Sequence, residues 1–226
     1  MKQLRVVPII AAAVLVSLAA ALPGGAAELG RPTVYCDGWG GAYAGLFSDP
    51  ARTEERGLAA GMAAGAYSDL GRKVSGAIRA NYWEAWDDRT FSRRYTALDA
   101  LLGPRFGAVR LLGGLTILDR RDFFGEQWGG WGWRLGVAGE TIIRRVLVGG
   151  GLYATPHLRL QHWWGGLELG PGDANALEKE FYLVIPLGGA WAVRGGYRSF
   201  RLAVKEAGGW WREEAEVLFL GASARF

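Results

Sequence analysis

Hydrolytic or metal chemistry in this chain would have to start from His157 and His162, which flank Leu158-Arg159-Leu160-Gln161 just ahead of Trp163-Trp164. Histidine is the usual general base and the usual activator of a nucleophile. In a strand, their five-residue spacing sends the two rings to opposite faces, and it is not a zinc-site spacing. No Gly-x-Ser-x-Gly or His-x-Ser occurs. Gly149-Gly150-Gly151 and Gly113-Gly114 lack the strand-to-helix setting of a dinucleotide loop, and no Gly-Lys-Ser/Thr is present. These glycines read instead as room for bulky side chains crossing a curved sheet. The acidic pairs Asp87-Asp88 and Glu213-Glu214 fall short of a calcium shell and read as solvated rim charges. Cys36 has no disulfide partner in the sequence and reads as a small packing residue. The expectation is a chain with no catalytic residue, no metal and no cofactor.

The elements that would have to position any site are unusual in composition. The 226 residues include 36 Gly and 11 Trp, with half of the chain hydrophobic and 21% charged. That hydrophobic share argues against disorder, and the glycine content argues against a conventional helical core. The formal charge of +4 is dispersed along the chain, so no nucleic-acid partner is expected. Met1-Lys2-Gln3-Leu4-Arg5, the apolar run Val6 to Leu22 and the small residues Gly25-Ala26-Ala27 make a secretory signal peptide. The expected division is a cleaved signal peptide over 1–27 and a single domain over 28–226. Cys36 follows Tyr35 and lies beyond the cut, so lipidation is not expected.

The domain alternates with period two. Leu218, Leu220, Ala222, Ala224 and Phe226 oppose Val217, Gly221, Ser223 and Arg225. Trp131, Trp133, Leu135 and Val137 oppose Gly132, Arg134, Gly136 and Ala138. Trp191, Val193 and Tyr197 oppose Arg194, Gly196 and Arg198, and after Ser199 the apolar set moves to Phe200, Leu202 and Val204, which reads as a bulge. Tyr35 to Phe47 can be phased either way. Strands are expected near 34–47, 57–68, 73–86, 92–102, 106–118, 130–142, 146–156, 175–187, 190–204 and 213–226. Short turns alternate with longer links at 48–56, 87–91, 119–129, 157–174 and 205–212. Short inner turns, long outer loops and an even strand number are the pattern of a transmembrane barrel. Lipid offers no hydrogen-bond partner to a free sheet edge, so the sheet must close. The expected fold class is therefore all-β: a closed antiparallel transmembrane β-barrel of about ten strands, eight to ten in range. Trp131, Trp133, Trp191 and Tyr197 are the candidate membrane-interface aromatics. A soluble lipocalin-like barrel, with the Trp/Leu face inside, is the alternative that alternation leaves open.

Gly195-Gly196-Tyr197-Arg198-Ser199-Phe200, Leu220-Gly221-Ala222-Ser223-Ala224-Arg225-Phe226 and Gly151-Leu152-Tyr153-Ala154-Thr155-Pro156, an aromatic strand ending in a Pro turn, resemble the YfaZ family of small bacterial outer-membrane proteins. The resemblance implies an outer-membrane barrel and supplies no catalytic residues. The ending is similar to the insertion signal read by the barrel-assembly machinery, with Gly221 and Phe226 at matching places. It departs from that signal at Phe219, where a polar residue is usual, and at Ala224, where an aromatic is usual.

If the Trp/Leu face meets lipid, the lumen candidates are Arg79, Asn81, Asp99, Arg110, Arg134, Glu140, Glu178, Glu180, Tyr182, Arg194 and Arg198. Charges of both signs in a narrow barrel can neutralise one another, with Glu178 and Glu180 placed beside Arg194 and Arg198. The functional expectation is a monomeric cell outer-membrane protein in contact with membrane lipid and lipopolysaccharide, either a narrow porin-like channel or a structural membrane protein. The alternatives are a ligand- or lipopolysaccharide-binding barrel using Trp-rich loops over Phe123–Trp133 and His157–Leu169, and a soluble periplasmic binder.

Overall fold

A computed structural model describes residues 33–49, 51–69, 73–87, 92–122, 124–206 and 209–225. The segment 1–27, expected to be a signal peptide, lies outside the described residues, as do Asp88 and Phe226. The rest forms ten strands: β1 (Thr33–Asp49), β2 (Ala51–Asp69), β3 (Val74–Asp87), β4 (Ser92–Phe106), β5 (Val109–Asp122), β6 (Glu126–Ile143), β7 (Val146–Trp164), β8 (Leu167–Gly188), β9 (Trp191–Glu206) and β10 (Gly209–Arg225). Each pairs antiparallel with its sequence neighbours, and β1 pairs with β10 to close the barrel. Closure leaves no sheet edge with unpaired backbone groups.

The strands run further outward than the sequence reading expects. The links at 48–56, 119–129, 157–174 and 205–212 are largely strand: β1 and β2 stay paired out to Asp49 and Ala51, and β7 and β8 out to Trp164 and Leu167. Gly165 and Gly166, both at positive φ, close that last hairpin, a conformation glycine adopts without steric penalty. The Trp-rich loops are therefore strand hairpins. Pro156 does not end its strand in a turn either. It lacks an N–H, and β7 passes it through a register shift between Thr155 and Leu158, which lets the ladder continue.

No bulge occurs after Ser199. β9 keeps its register on both sides there, with Ser199 opposite Lys179 and Glu216 and Phe200 opposite Glu178 and Ala215. What changes is the environment of each face. Trp191, Val193, Gly195 and Tyr197 point outward and are followed on that side by Ser199, Arg201 and Lys205, while Phe200, Leu202 and Val204 are buried inside. β5 and β10 switch in the same way. Val109 to Ile117, a nine-residue span, is apolar outside and gives way to Asp119 and Arg121. Ala222, Leu220 and Leu218 give way to Glu216, Glu214 and Arg212. The exterior thus carries an apolar belt about as tall as a membrane strand of about nine to eleven residues. Above it lies a polar collar with ion pairs Arg94–Glu84 (3.1 Å), Arg121–Asp119 (2.9 Å) and Arg201–Glu214 (2.7 Å).

Candidate functional site: the lumen

Inward positions on every strand build the lumen. On β1 the phase that sequence left open is set by pairing: Tyr35, Asp37, Trp39, Tyr43 and Phe47 point in, and Cys36, Gly38, Gly40 and Ala42 point out. Cys36 is therefore exposed on the outer face and is not packed inside. Two inward glycines show how such a narrow barrel holds large rings. A Cβ on Gly61 would stand 2.4 Å from the Trp39 ring, and one on Gly149 would stand 2.5 Å from the Tyr182 ring.

The outermost layer is polar. Arg120, almost fully buried, donates to Glu213 on β10 at 3.0 Å and to Glu126 at 2.6 Å, while Arg93 pairs with Glu55 at 2.8 Å and lies 3.7 Å from Glu213. Glu213 and Glu214 are not a pair of rim charges, because strand alternation buries the first and turns the second outward. The aromatic layer beneath holds Trp83 stacked on Tyr95 (4.0 Å between centroids), Tyr95 edge-on to Phe200 (5.3 Å) and Trp39 against Phe219 (5.5 Å). Phe219 thus occupies the inner face of the terminal strand, which explains an aromatic at that position.

A charged layer follows. Arg79 bonds Asp99 at 2.6 Å and approaches Glu178 at 3.8 Å, and Arg134 bonds Glu178 and lies 3.5 Å from Asp99. Arg198 reaches Glu180 at 3.0 Å and Glu178 at 4.0 Å, and Arg194 bridges Glu180 at 2.5 Å and Asp37. Four guanidinium groups therefore meet four carboxylates, a balanced set with no net charge to select an ion. Arg79 lies over the Tyr153 ring at 3.9 Å and Arg194 over Tyr182 at 4.1 Å, adding a cation–π contact at each. Below this layer a cavity of about 80 Å³ opens among Tyr35, Arg110, Glu140, Tyr182 and Arg225.

All eleven lumen candidates, from Arg79 and Asn81 through Arg110 and Glu140 to Arg198, stand on inward positions. The structure brings Arg79, Asp99, Arg134, Glu178, Glu180, Arg194 and Arg198 into one network, and places Arg110, Glu140 and Tyr182 at its inner end. Asn81 lines a second cavity of about 20 Å³ beside Trp83, Arg134 and Glu178. Trp131, Trp133 and Trp191 are exposed on the outside, Tyr197 is half-buried there, and Gly221 packs its backbone against Trp39. Sequence reasoning missed Asp37 and the outer network of Glu55, Arg93, Arg120, Glu126 and Glu213. For Asp37 the signal was present in the alternation of Asp37, Trp39 and Tyr43. Of the outer network, Glu55, Arg120 and Glu126 fell in segments taken as loops, while Arg93 and Glu213 stood at the ends of expected strands and Glu213 was read as a rim charge.

Three contacts at successive heights join strands that lie five places apart around the ring in either direction: Arg120 to Glu213, Tyr95 to Phe200 and Arg79 to Glu178. They bridge the lumen from wall to opposite wall. His157 is exposed on the outer face of β7, while His162 faces inward, stacked on Trp128 at 3.7 Å and 3.3 Å from Glu126. The two rings lie on opposite faces of the strand.

No family model and no curated protein matches this chain. Among solved structures it is similar to Neisserial surface protein A, at 10% identity and a TM-score of 0.46 over 88% of this chain and 99% of that one. It is also similar to the translocator domain of the autotransporter NalP from Neisseria meningitidis, at 13% identity and 0.41 over 100% and 98%. A third likeness is to a mutant of the monoaromatic hydrocarbon channel TodX, at 7% identity and 0.31 over 86% and 90%.

Proposed function

We propose that the protein is an outer-membrane β-barrel with a sealed lumen, a structural membrane protein and not an open channel. The observation that carries this reading is the set of three wall-to-wall contacts, with cavities of about 80 and 20 Å³ between the described residues of the lumen. The membrane placement is supported by the apolar belt, with Leu183, Leu218, Leu220 and Trp191 exposed around a charged interior. A soluble lipocalin-like binder needs the reverse arrangement, with apolar side chains lining its cavity. The collar marks the outer side, since the longer strand hairpins stand there. The reading keeps the YfaZ likeness, assembly by the barrel-assembly machinery and a monomeric state as parts of the proposal, and assigns no enzymatic role.

Planar-bilayer recording of the purified barrel tests it. The expected result is no channel steps above the bare-membrane baseline, in wild type and in Arg194→Ala/Arg198→Ala alike. Reproducible ion-selective steps in the wild type, altered by the double substitution, would overturn the sealed lumen.

A further inference from the structure

Among the described residues, Lys179 is a charge set within the apolar outer run of its strand. Lys179 is exposed on the outer face of β8 between Leu177 and Phe181, opposite Leu152 on β7 and Ser199 on β9. Ser199 marks the height at which the outside of β9 turns from apolar to polar, so Lys179 sits at the outer edge of the belt, its direct pairing partners neutral and the nearest outward charge Arg201, opposite Leu177 and paired with Glu214. An ionisable side chain facing lipid is expensive unless a partner of opposite charge or the headgroup layer receives it.

Beside it lies an apolar furrow of about 490 Å³ on the outer wall. Two neighbouring rows of outward side chains form its sides. The first follows the pairing from Leu177 to Ala154, Leu135, Gly113 and Leu102, and the second from Leu152, the partner of Lys179, to Val137 and Leu111. Both rows slope with the tilt of the strands, from the outer edge at β8 toward the short Phe106–Val109 hairpin. Ala154 and Gly113 leave the furrow open where larger residues would close it. Lys179 does not line the furrow but stands beside its outer end, opposite Leu152 and next to Leu177 on the same face, an arrangement of charge and apolar surface that suits one phosphorylated acyl lipid held lengthwise.

We propose that Lys179 and this furrow seat a phosphorylated glycolipid of the lipopolysaccharide type, its phosphate on the Lys179 ammonium and one acyl chain between the two rows. The inference rests on the outer-membrane reading above, and its position at the collar side selects the outer-leaflet lipid. No part of it depends on loops.

The test uses the full barrel reconstituted in phosphatidylcholine vesicles containing a small fraction of lipid A, then released in mild detergent and weighed by native mass spectrometry. Wild type and Lys179→Arg are expected to retain one lipid A, and Lys179→Gln to retain about tenfold less. Gly113→Phe is expected to lose retention to a similar extent. A Cβ there meets only Leu135 Cδ2, at 3.5 Å, so the ring enters from the lipid side without a backbone clash. Gly113→Val serves as a smaller filler. Absence of lipid A from the wild type, equal retention in Lys179→Gln, or loss in only one of the two positions would each overturn the seat. Preferential retention of phosphatidylglycerol from parallel vesicles would overturn the glycolipid assignment. A barrel that is membrane-bound and heat-modifiable yet holds no lipid removes this inference alone, whereas recovery as a soluble protein removes the reading beneath it.

Discussion

Replacing Glu178 by Gln keeps the side-chain volume and removes one charge from the centre of the lumen network. Glu178 bonds Arg134 and lies 3.8 Å from Arg79 and 4.0 Å from Arg198, with its side chain 8% exposed. At an effective dielectric of about 20, each of the two longer contacts represents about 4 kcal/mol of attraction before desolvation. Much of that is cancelled by the cost of taking the charges out of water, and breaking a buried pair typically leaves a net loss of about 3–5 kcal/mol. The variant leaves four guanidinium groups facing three carboxylates, so the unpaired cation has no local compensation. The expected loss is about 3 kcal/mol, read as a lower urea midpoint of Trp fluorescence in detergent micelles. Glu216→Gln, on the exposed outer face, should change stability by less than about 0.5 kcal/mol. Adding Arg134→Gln to Glu178→Gln should recover part of the loss, as expected for coupled partners. A loss below about 1 kcal/mol for Glu178→Gln, or the same effect from Glu216→Gln, would refute a dry, balanced network and point to a hydrated lumen.

Two further outcomes follow from the wall. Leu220→Arg places a charge in the belt and should destabilise the barrel in lipid by about 2–4 kcal/mol, measured by urea titration in vesicles; a neutral effect would put Leu220 in water. Gly61→Ala drives a methyl group against the Trp39 ring and the Tyr82 carbonyl, 2.6 Å away, and should sharply reduce the yield of heat-modifiable barrel, whereas Gly113→Ala should leave it unchanged.

Strand number and the inside–outside partition of most strands were legible because period two survives in β5, β6, β9 and β10, where lumen charges alternate with Trp, Leu and Val. The misreading at Ser199 has a physical origin. Alternation shows which residues share a face and says nothing of what that face meets. A real phase slip and an exit from lipid into water therefore look alike: in both, apolar residues jump to the other parity. At Phe200, Leu202 and Val204 the chain had left the belt, so the inside became the only dry side. The irregularity at Pro156 was hidden because a proline suggests a turn as readily as a bulge. Asp37 and the Arg120–Glu213 pair escaped for a related reason. Arg120 and Glu213 lie 93 residues apart and meet only across the closed ring, while the alternation of Asp37, Trp39 and Tyr43 shows a shared face that the register of β1 against β10 turns inward.

Fractionation of cells expressing the full chain, followed by gel migration with and without boiling in detergent, tests the closed membrane barrel most directly. The apolar belt and the β1–β10 seam predict recovery in the outer membrane and a compact band that shifts on boiling. Recovery as a soluble periplasmic protein with no shift would contradict them.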